Sequence, residues 1–207
     1  VFGFDPAHAG RLKAFERAMR ERSSLLHREI THRTTADPAW LDVLEETIVE
    51  KGVAIAAARI ALIDRLNPAC AMGVGPFPSA SLALEGILDG WIGTMPAVEA
   101  EDQYRATLVD SRGVDRAGRG AAIGPHRSDL AVTHILKNAL ARQCSTGEQK
   151  ALLISIVLAN ARLQSLERGA APILLLDEIA AHLDKERRDA LFAEIQALGA
   201  QAWMTGT

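Results

Sequence analysis

Apolar residues in the first third of the chain recur at the three-to-four-residue spacing of a helix face. Leu12, Phe15, Met19 and Leu26 fall on one side, and Arg17, Arg20, Arg22 and Arg28 supply a basic complement. Asp5-Pro6 opens this helix, with a capping carboxylate followed by a proline at the first helical position. Asp37-Pro38 repeats the signal, and Leu41, Leu44, Ile48, Ile55, Leu62 and Leu66 continue a helical stripe until Asn67-Pro68, where the helix is predicted to stop. The two segments predict an antiparallel helical hairpin. A loop follows over 72–78, a strand over 81–86 and a further helix over 97–111.

Polar and apolar patterning changes character further on. Arginine and glycine crowd 112–120, which reads as a flexible return loop. The string Gly124-Pro125-His126-Arg127-Ser128-Asp129-Leu130 enters a short strand through Val132, and a loop over 137–142 leads to Ser145. From about 148 to 168 a helix turns Leu152, Ile156 and Leu163 inward. Pro172 precedes the unbroken apolar run Ile173, Leu174, Leu175 and Leu176, which suits a parallel strand covered on both faces. Asp184 caps the last helix, whose core side carries Leu191, Ile195 and Leu198, and 202–205 forms one more strand. The order predicts a helical lobe over 1–120 and an α/β half-domain over 121–207.

Composition narrows the setting. The 207 residues are 48% hydrophobic and 24% charged, an ordinary globular balance able to bury a core. A formal charge of −3 gives no overall attraction to nucleic acid, so any DNA contact must come from a local patch. The arginines of the first helix are read as a solvated face, with DNA contact as the second reading. The chain has two cysteines, Cys70 and Cys144, without a Cys-x-x-Cys pair, which suggests neither a disulfide framework nor a zinc site. No run of about 18 apolar residues appears and the first residues lack the regions of a secretory signal. A cytoplasmic location without a membrane partner is expected.

Two segments carry chemistry. Cys144-Ser145-Thr146-Gly147-Glu148-Gln149-Lys150 is a polar loop opening a helix, which can present backbone N–H groups to an anion. Ser145 and Glu148 also match the Ser-x-x-Glu capping box, and both readings can hold at once, because a capped helix still exposes its positive end. One helix downstream, Leu174-Leu175-Leu176-Asp177-Glu178 is an apolar strand ending in two carboxylates, able to deliver them to a metal and a water. His182-Leu183-Asp184 follows after a tight turn. Loop, strand and turn come in the order of an ABC-type ATPase. The Gly-x-x-x-x-Gly-Lys-Ser/Thr loop that wraps phosphates is not in the 207 residues. It is expected upstream of Val1, and the chain alone is expected not to turn over ATP.

Other candidates have two readings each. In Gly124-Pro125-His126-Arg127, Arg127 can touch phosphate and His126 can order a water, while a turn entering a strand explains glycine and proline equally well. Gly73 and Gly75 are too close to Pro76 and Pro78 to open the helix of a dinucleotide motif. His27 and His32 miss the one-turn spacing of paired metal ligands. Arg59, within an apolar helix, is expected to ion-pair or snorkel.

The string from Cys144 to Ser155, the string from Gly124 to Leu130, the string from Leu174 to Asp184 and the opening Asp5-Pro6-Ala7-His8 with Phe15-Glu16-Arg17 together resemble the bacterial RecF family of DNA replication and repair proteins. The resemblance covers nearly the whole chain. It implies an ABC-type ATPase head, P-loop NTPase-like and related to structural-maintenance ATPases, with an α-helical insertion lobe. It further implies ATP and Mg²⁺ as cofactors, an ATP-dependent homodimer, binding to single-stranded, gapped or junction DNA, and work with RecO and RecR in placing RecA.

Residue by residue, Ser145, Thr146, Gly147 and Gln149 match the signature loop that contacts the γ-phosphate held by the opposite subunit. Asp177 matches the aspartate that orients Mg²⁺, Glu178 the carboxylate that polarises the attacking water, and Asp184 the loop that crosses the dimer interface. Ser128 stands where the family pattern has an acidic residue, and Thr205-Gly206 where ABC ATPases place a histidine. Two alternatives come from other classes. One is a transporter's nucleotide-binding subunit, which would have a shorter helical insertion. The other is a non-catalytic interaction domain with structural carboxylates.

Overall fold

The computed structural model describes residues 1–32, 37–177 and 183–205. In chain order the elements are α1 (His8–His32), α2 (Pro38–Met72), β1 (Ala80–Glu85), α3 (Ile87–Thr94), α4 (Ala97–Val114), β2 (Asp129–His134), β3 (Ala139–Leu140), α5 (Thr146–Arg168), β4 (Leu174–Leu176), α6 (Lys185–Ala197) and β5 (Ala202–Met204). The chain packs into two compact units, residues 1–62 with 84–129 and residues 63–83 with 130–207. Neither is a single continuous segment.

In the first unit, Asp5 Oδ1 accepts from the Ala7 N–H at 3.0 Å just ahead of α1, and Asp37 Oδ1 accepts from the Ala39 N–H at 3.0 Å at the start of α2. Pro38 is the first residue of α2 as its signal predicts, whereas Pro6 lies in the turn two residues ahead of α1, which begins at His8 rather than at the proline. Arg22 of α1 meets Glu45 of α2, and Gly52 of α2 lies against Phe15 of α1. Position rises along one helix as it falls along the other, so α1 and α2 run antiparallel. Phe15, Ala18, Leu44, Ile48, Val49, Val53, Ile55 and Ala56 pack with Leu88 of α3 and with Tyr104 and Leu108 of α4. Helix α3 has no counterpart in the apolar pattern, which stops at the predicted strand before it.

Three expectations change here. Arg22 is 1% exposed rather than part of a solvated arginine face. It donates at 2.7 Å to Glu45, to Asp115 and to the Leu108 carbonyl, because a charge on the buried side of α1 is tolerable only when fully paired. The segment read as a flexible return loop instead extends α4 to Val114 and continues as one wide π-type turn over Asp115–Arg119. Buried Asp115 and the pairing of Arg112 with Glu45 and Asp42 hold it in place, and Gly118 within it takes φ +85°. Arg59, expected to ion-pair or snorkel, donates to the Pro125 carbonyl at 2.5 Å, and among the described residues no ion pair of it is seen.

The second unit begins inside α2, which runs through Pro68 to Met72 instead of stopping at Asn67. Proline removes one hydrogen bond, to the carbonyl of exposed Asp64, while buried Leu66 and Cys70 draw the last turns inward. The Asn67 side chain bonds both backbone groups of Leu82, donating at 2.9 Å and accepting at 2.8 Å, as a neighbouring strand would.

The strands order β1-β2-β3 in one sheet, and β2 and β3 pair antiparallel with Thr133 opposite Leu140 and His134 opposite Ala139. The predicted loop over 137–142 thus contains a short strand and a 3-10 turn, Ala141–Gln143. Asn138 at φ +47° closes the hairpin.

Helix α5 starts two residues before its predicted onset and ends at Gly169, whose φ of +69° forms a left-handed cap. Its buried side is Ala151, Leu152, Ile154, Ser155, Leu158, Ala159 and Ala161, with Ile156 and Leu163 only half-buried. Strands β4 and β5 pair parallel, with Leu174 opposite Ala202 and Leu176 opposite Met204. Leu174 and Leu176 join α5 and α6 in the second core, while Leu175 is 79% exposed and Ile173 63% exposed. The pairing is parallel as expected, and the described residues cover one face of it. Among the described residues no helix is long and apolar enough to cross a membrane.

Candidate functional site

Residues 144–150 place their chemistry at the start of α5. Ser145 is the cap: its Oγ accepts from the Glu148 N–H at 3.4 Å, and Glu148 Oε2 accepts from the Ser145 N–H at 3.0 Å. This reciprocal arrangement is the capping box its spacing predicts. Gln149 folds back to donate from Nε2 to the Cys144 carbonyl at 3.0 Å. Ser145, Thr146, Gly147 and Gln149 are all exposed.

Helical geometry leaves the N–H groups of Thr146 and Gly147 without an intrahelical acceptor, so the helix presents partial positive charge to solvent. A Cβ at Gly147 would meet nothing within 4 Å. The chain's own packing therefore does not demand glycine there, whereas close approach of an anion to the backbone would.

A residue absent from the sequence reading completes this loop. Lys137, at the tip of the β2–β3 hairpin, forms an ion pair with Glu148 Oε1. With Lys137 as the principal cause and the Ser145 backbone and hydroxyl adding to it, the Glu148 carboxyl is held down to about 2. The Lys137 ammonium is correspondingly pushed up by Glu148. A basic residue at a hairpin tip shortly before a capping serine was the available signal, but the hairpin itself was not legible.

Asp177 stands exposed immediately after β4. Its Oδ1 accepts from the Thr205 hydroxyl, and the Thr205 N–H donates to the Leu176 carbonyl at 3.1 Å, which extends the parallel β4–β5 pairing by one step. Thr205 is thus a second contributor outside the predicted set. Asp184 caps α6, accepting from the Arg187 N–H at 2.8 Å. Glu178 and His182, as well as Gly206, lie outside the described residues.

The loop of Ser145, the end of β4 and the start of α6 all belong to the second unit. His126 and Arg127 belong to the first, in the 3-10 turn Pro125–Arg127. Both are directed to the Ala121 carbonyl, His126 Nε2 at 3.0 Å and Arg127 Nε at 3.2 Å. Burial holds the His126 imidazole below its ordinary range, against the opposing effect of the Ala121 carbonyl. Gly124 at φ +141° starts the turn, and a Cβ there would come within 2.5 Å of the Tyr104 hydroxyl. The turn reading explains this glycine.

No family model matches the chain. Its fold matches a solved structure of the recombination mediator protein RecF-ATPrS in the RecFOR pathway with a TM-score of 0.79, over 98% of this chain and 54% of that one, at 19% identity. A RecF-ATP structure matches with a TM-score of 0.77 at 18% identity. The likeness shows the fold alone, an α/β arrangement shared with about half of each of those RecF chains.

Sequence similarity is closer. The DNA replication and repair protein RecF of Rhizobium etli is 51% identical over 211 aligned residues, covering 100% of this chain and 54% of its own length. That of Brucella abortus is 50% identical, covering 100% of this chain and 53% of its own length. Over its whole length the chain is similar to these RecF proteins, and it spans about half the length of the curated relatives it matches.

Proposed function

We propose that this chain is part of an ATP-dependent DNA-binding protein of recombinational repair and replication, which binds single-stranded and gapped DNA in the cytoplasm and helps load RecA with RecO and RecR. The observation that carries the nucleotide reading is the exposed start of α5, boxed by Ser145 and Glu148, with Gly147 bare to solvent. Half-length identity of about 50% to RecF proteins supports the wider role.

In this reading residues 1–120 serve as the helical insertion lobe and 121–207 as part of the ATPase lobe. Ser145, Thr146, Gly147 and Gln149 contact the γ-phosphate of ATP held by the partner subunit, joining two copies into an ATP-dependent homodimer. Helix-start N–H groups and a serine hydroxyl suit this task, since they donate to phosphate oxygens without a charge that must first be desolvated.

Asp177 fits Mg²⁺ as an exposed carboxylate at a strand end. Magnesium takes one or two carboxylates and completes its shell with water and phosphate, so a single aspartate here is chemically sufficient. When bound, the metal would offset charge developing on the transferred phosphoryl group. Thr205 orients the Asp177 carboxylate, Glu178 polarises the attacking water, and Asp184 begins the helix next to the dimer interface.

The test separates capping from nucleotide contact. Ser145→Asn, in the protein expressed from its whole reading frame, preserves the cap because asparagine caps about as well as serine. Its melting curve should be unchanged, while sedimentation with ATP and Mg²⁺ should show weakened dimerisation and retention on gapped DNA should fall. A variant that melts normally and dimerises like the parent refutes the role assigned to the loop.

A further inference from the structure

We propose that Lys137 is a positioning residue of the nucleotide site, keeping the start of α5 receptive to phosphate by engaging the Glu148 carboxylate. The inference rests on the reading of the Ser145 loop above. Glu148 is the third residue of α5, and its carboxylate lies beside the N–H groups proposed to receive a phosphate. An unpaired negative charge there would repel the anion that the helix end attracts. One carboxylate oxygen is engaged by the Ser145 backbone N–H, and the other by the Lys137 ammonium. Both oxygens are thereby occupied by donors, and the loop as a whole turns its positive end outward.

Lys137 is delivered by rigid structure. Residues 135–138 close a hairpin in which the Asn138 N–H donates to the Ile135 carbonyl at 3.1 Å, and the Ile135 N–H donates to the Ser79 carbonyl at 3.1 Å. The paired register beyond the turn, His134 with Ala139, leaves little freedom for slippage. The lysine side chain remains about half exposed, at 53%. It can therefore keep its hold on Glu148 while the neighbouring helix start faces a partner.

Four forms of the whole-reading-frame protein test this: parent, Lys137→Met, Lys137→Arg and Lys137→Met with Glu148→Gln. The readout is ATP- and Mg²⁺-dependent dimerisation by sedimentation at low and at high salt, with a melting curve for each. Lys137→Met should raise the dissociation constant of the ATP-bound dimer roughly 3- to 5-fold at low salt, and less at high salt. Lys137→Arg should retain parental behaviour. Adding Glu148→Gln to Lys137→Met should restore most of the loss, because the amide still accepts from the Ser145 N–H while the charge is gone.

A lysine that only braces the hairpin would give no restoration in the double variant, and that result overturns the inference. So does a Lys137→Met protein that dimerises like the parent. A parent that shows no ATP-dependent association refutes the underlying reading of the loop instead.

Discussion

Arg22→Ala should destabilise the protein by about 3 kcal/mol, the low end of the range for breaking a buried ion pair. The arginine lies between two carboxylates that are themselves almost sealed from water, with side chains 1% exposed at Glu45 and 3% at Asp115. Removing the guanidinium deletes three 2.7 Å hydrogen bonds but does not strand every partner. Glu45 keeps Arg112, whose Nε donates at 3.0 Å, whereas the Leu108 carbonyl at 3.1 Å and Asp115 at 2.7 Å are left to compete for the one Ser111 hydroxyl proton. Asp115, the charged one of these two acceptors, bears most of the loss.

For a chain of this size that corresponds to a melting temperature lower by about 6–12 °C. Replacing the cluster as a unit, with Arg22→Met, Glu45→Gln and Asp115→Asn together, should recover most of the stability. No buried charge is then left unpaired, and the methionine fills much of the arginine's volume. Urea denaturation followed by circular dichroism measures both proteins. A loss below about 1 kcal/mol for Arg22→Ala would place the cluster among weak surface pairs. A triple variant less stable than Arg22→Ala would show that the stabilisation lies in the hydrogen-bond geometry rather than in charge compensation.

In the whole-reading-frame protein, Glu178→Gln should lower ATP hydrolysis by roughly 10²–10⁴-fold while ATP binding persists, and ATP-bound dimers should accumulate; unchanged phosphate release would move the catalytic role elsewhere. The Glu148 carboxyl gives a pH signature. Its folded value of about 2 lies below the ordinary 4.5, so its stabilising contribution is complete above 4.5 and is lost as acid carries the pH down toward 2. Denaturation midpoints of the parent and Glu148→Gln should differ at neutral pH and converge across that acid range, and a difference that persists at the acid end would contradict the assignment.

Much of the local structure was legible because it depends on short-range chemistry. Two Asp-Pro pairs, the Ser145–Glu148 box and Asp184 satisfy backbone groups within a few residues of themselves, so they mark helix starts before any packing is known. The apolar run after Pro172 could likewise be read as a strand of a parallel sheet and 202–205 as one more strand, while their pairing came only from the structure. The family was legible for a related reason, since the strings around Ser145, Asp177 and Gly124 are contiguous in the chain.

What the pattern could not supply was the burial of charge and the assembly of distant segments. Arg22 belongs to a helix whose Arg17, Arg20 and Arg28 are exposed. Only the approach of Glu45 from α2 and of Asp115 from beyond α4 makes its burial tolerable, and those partners lie far away in sequence. Pro68 looks like a helix stop until Leu66 and Cys70 are buried and Asn67 meets Leu82. Lys137 reaches Glu148 only because a two-residue antiparallel pairing folds the chain back on itself. Helix caps are decided by neighbours along the chain, so sequence alone determined them. Ion pairs, strand exposure and the setting of the α5 loop are decided by neighbours in space, and only the tertiary structure brings those together.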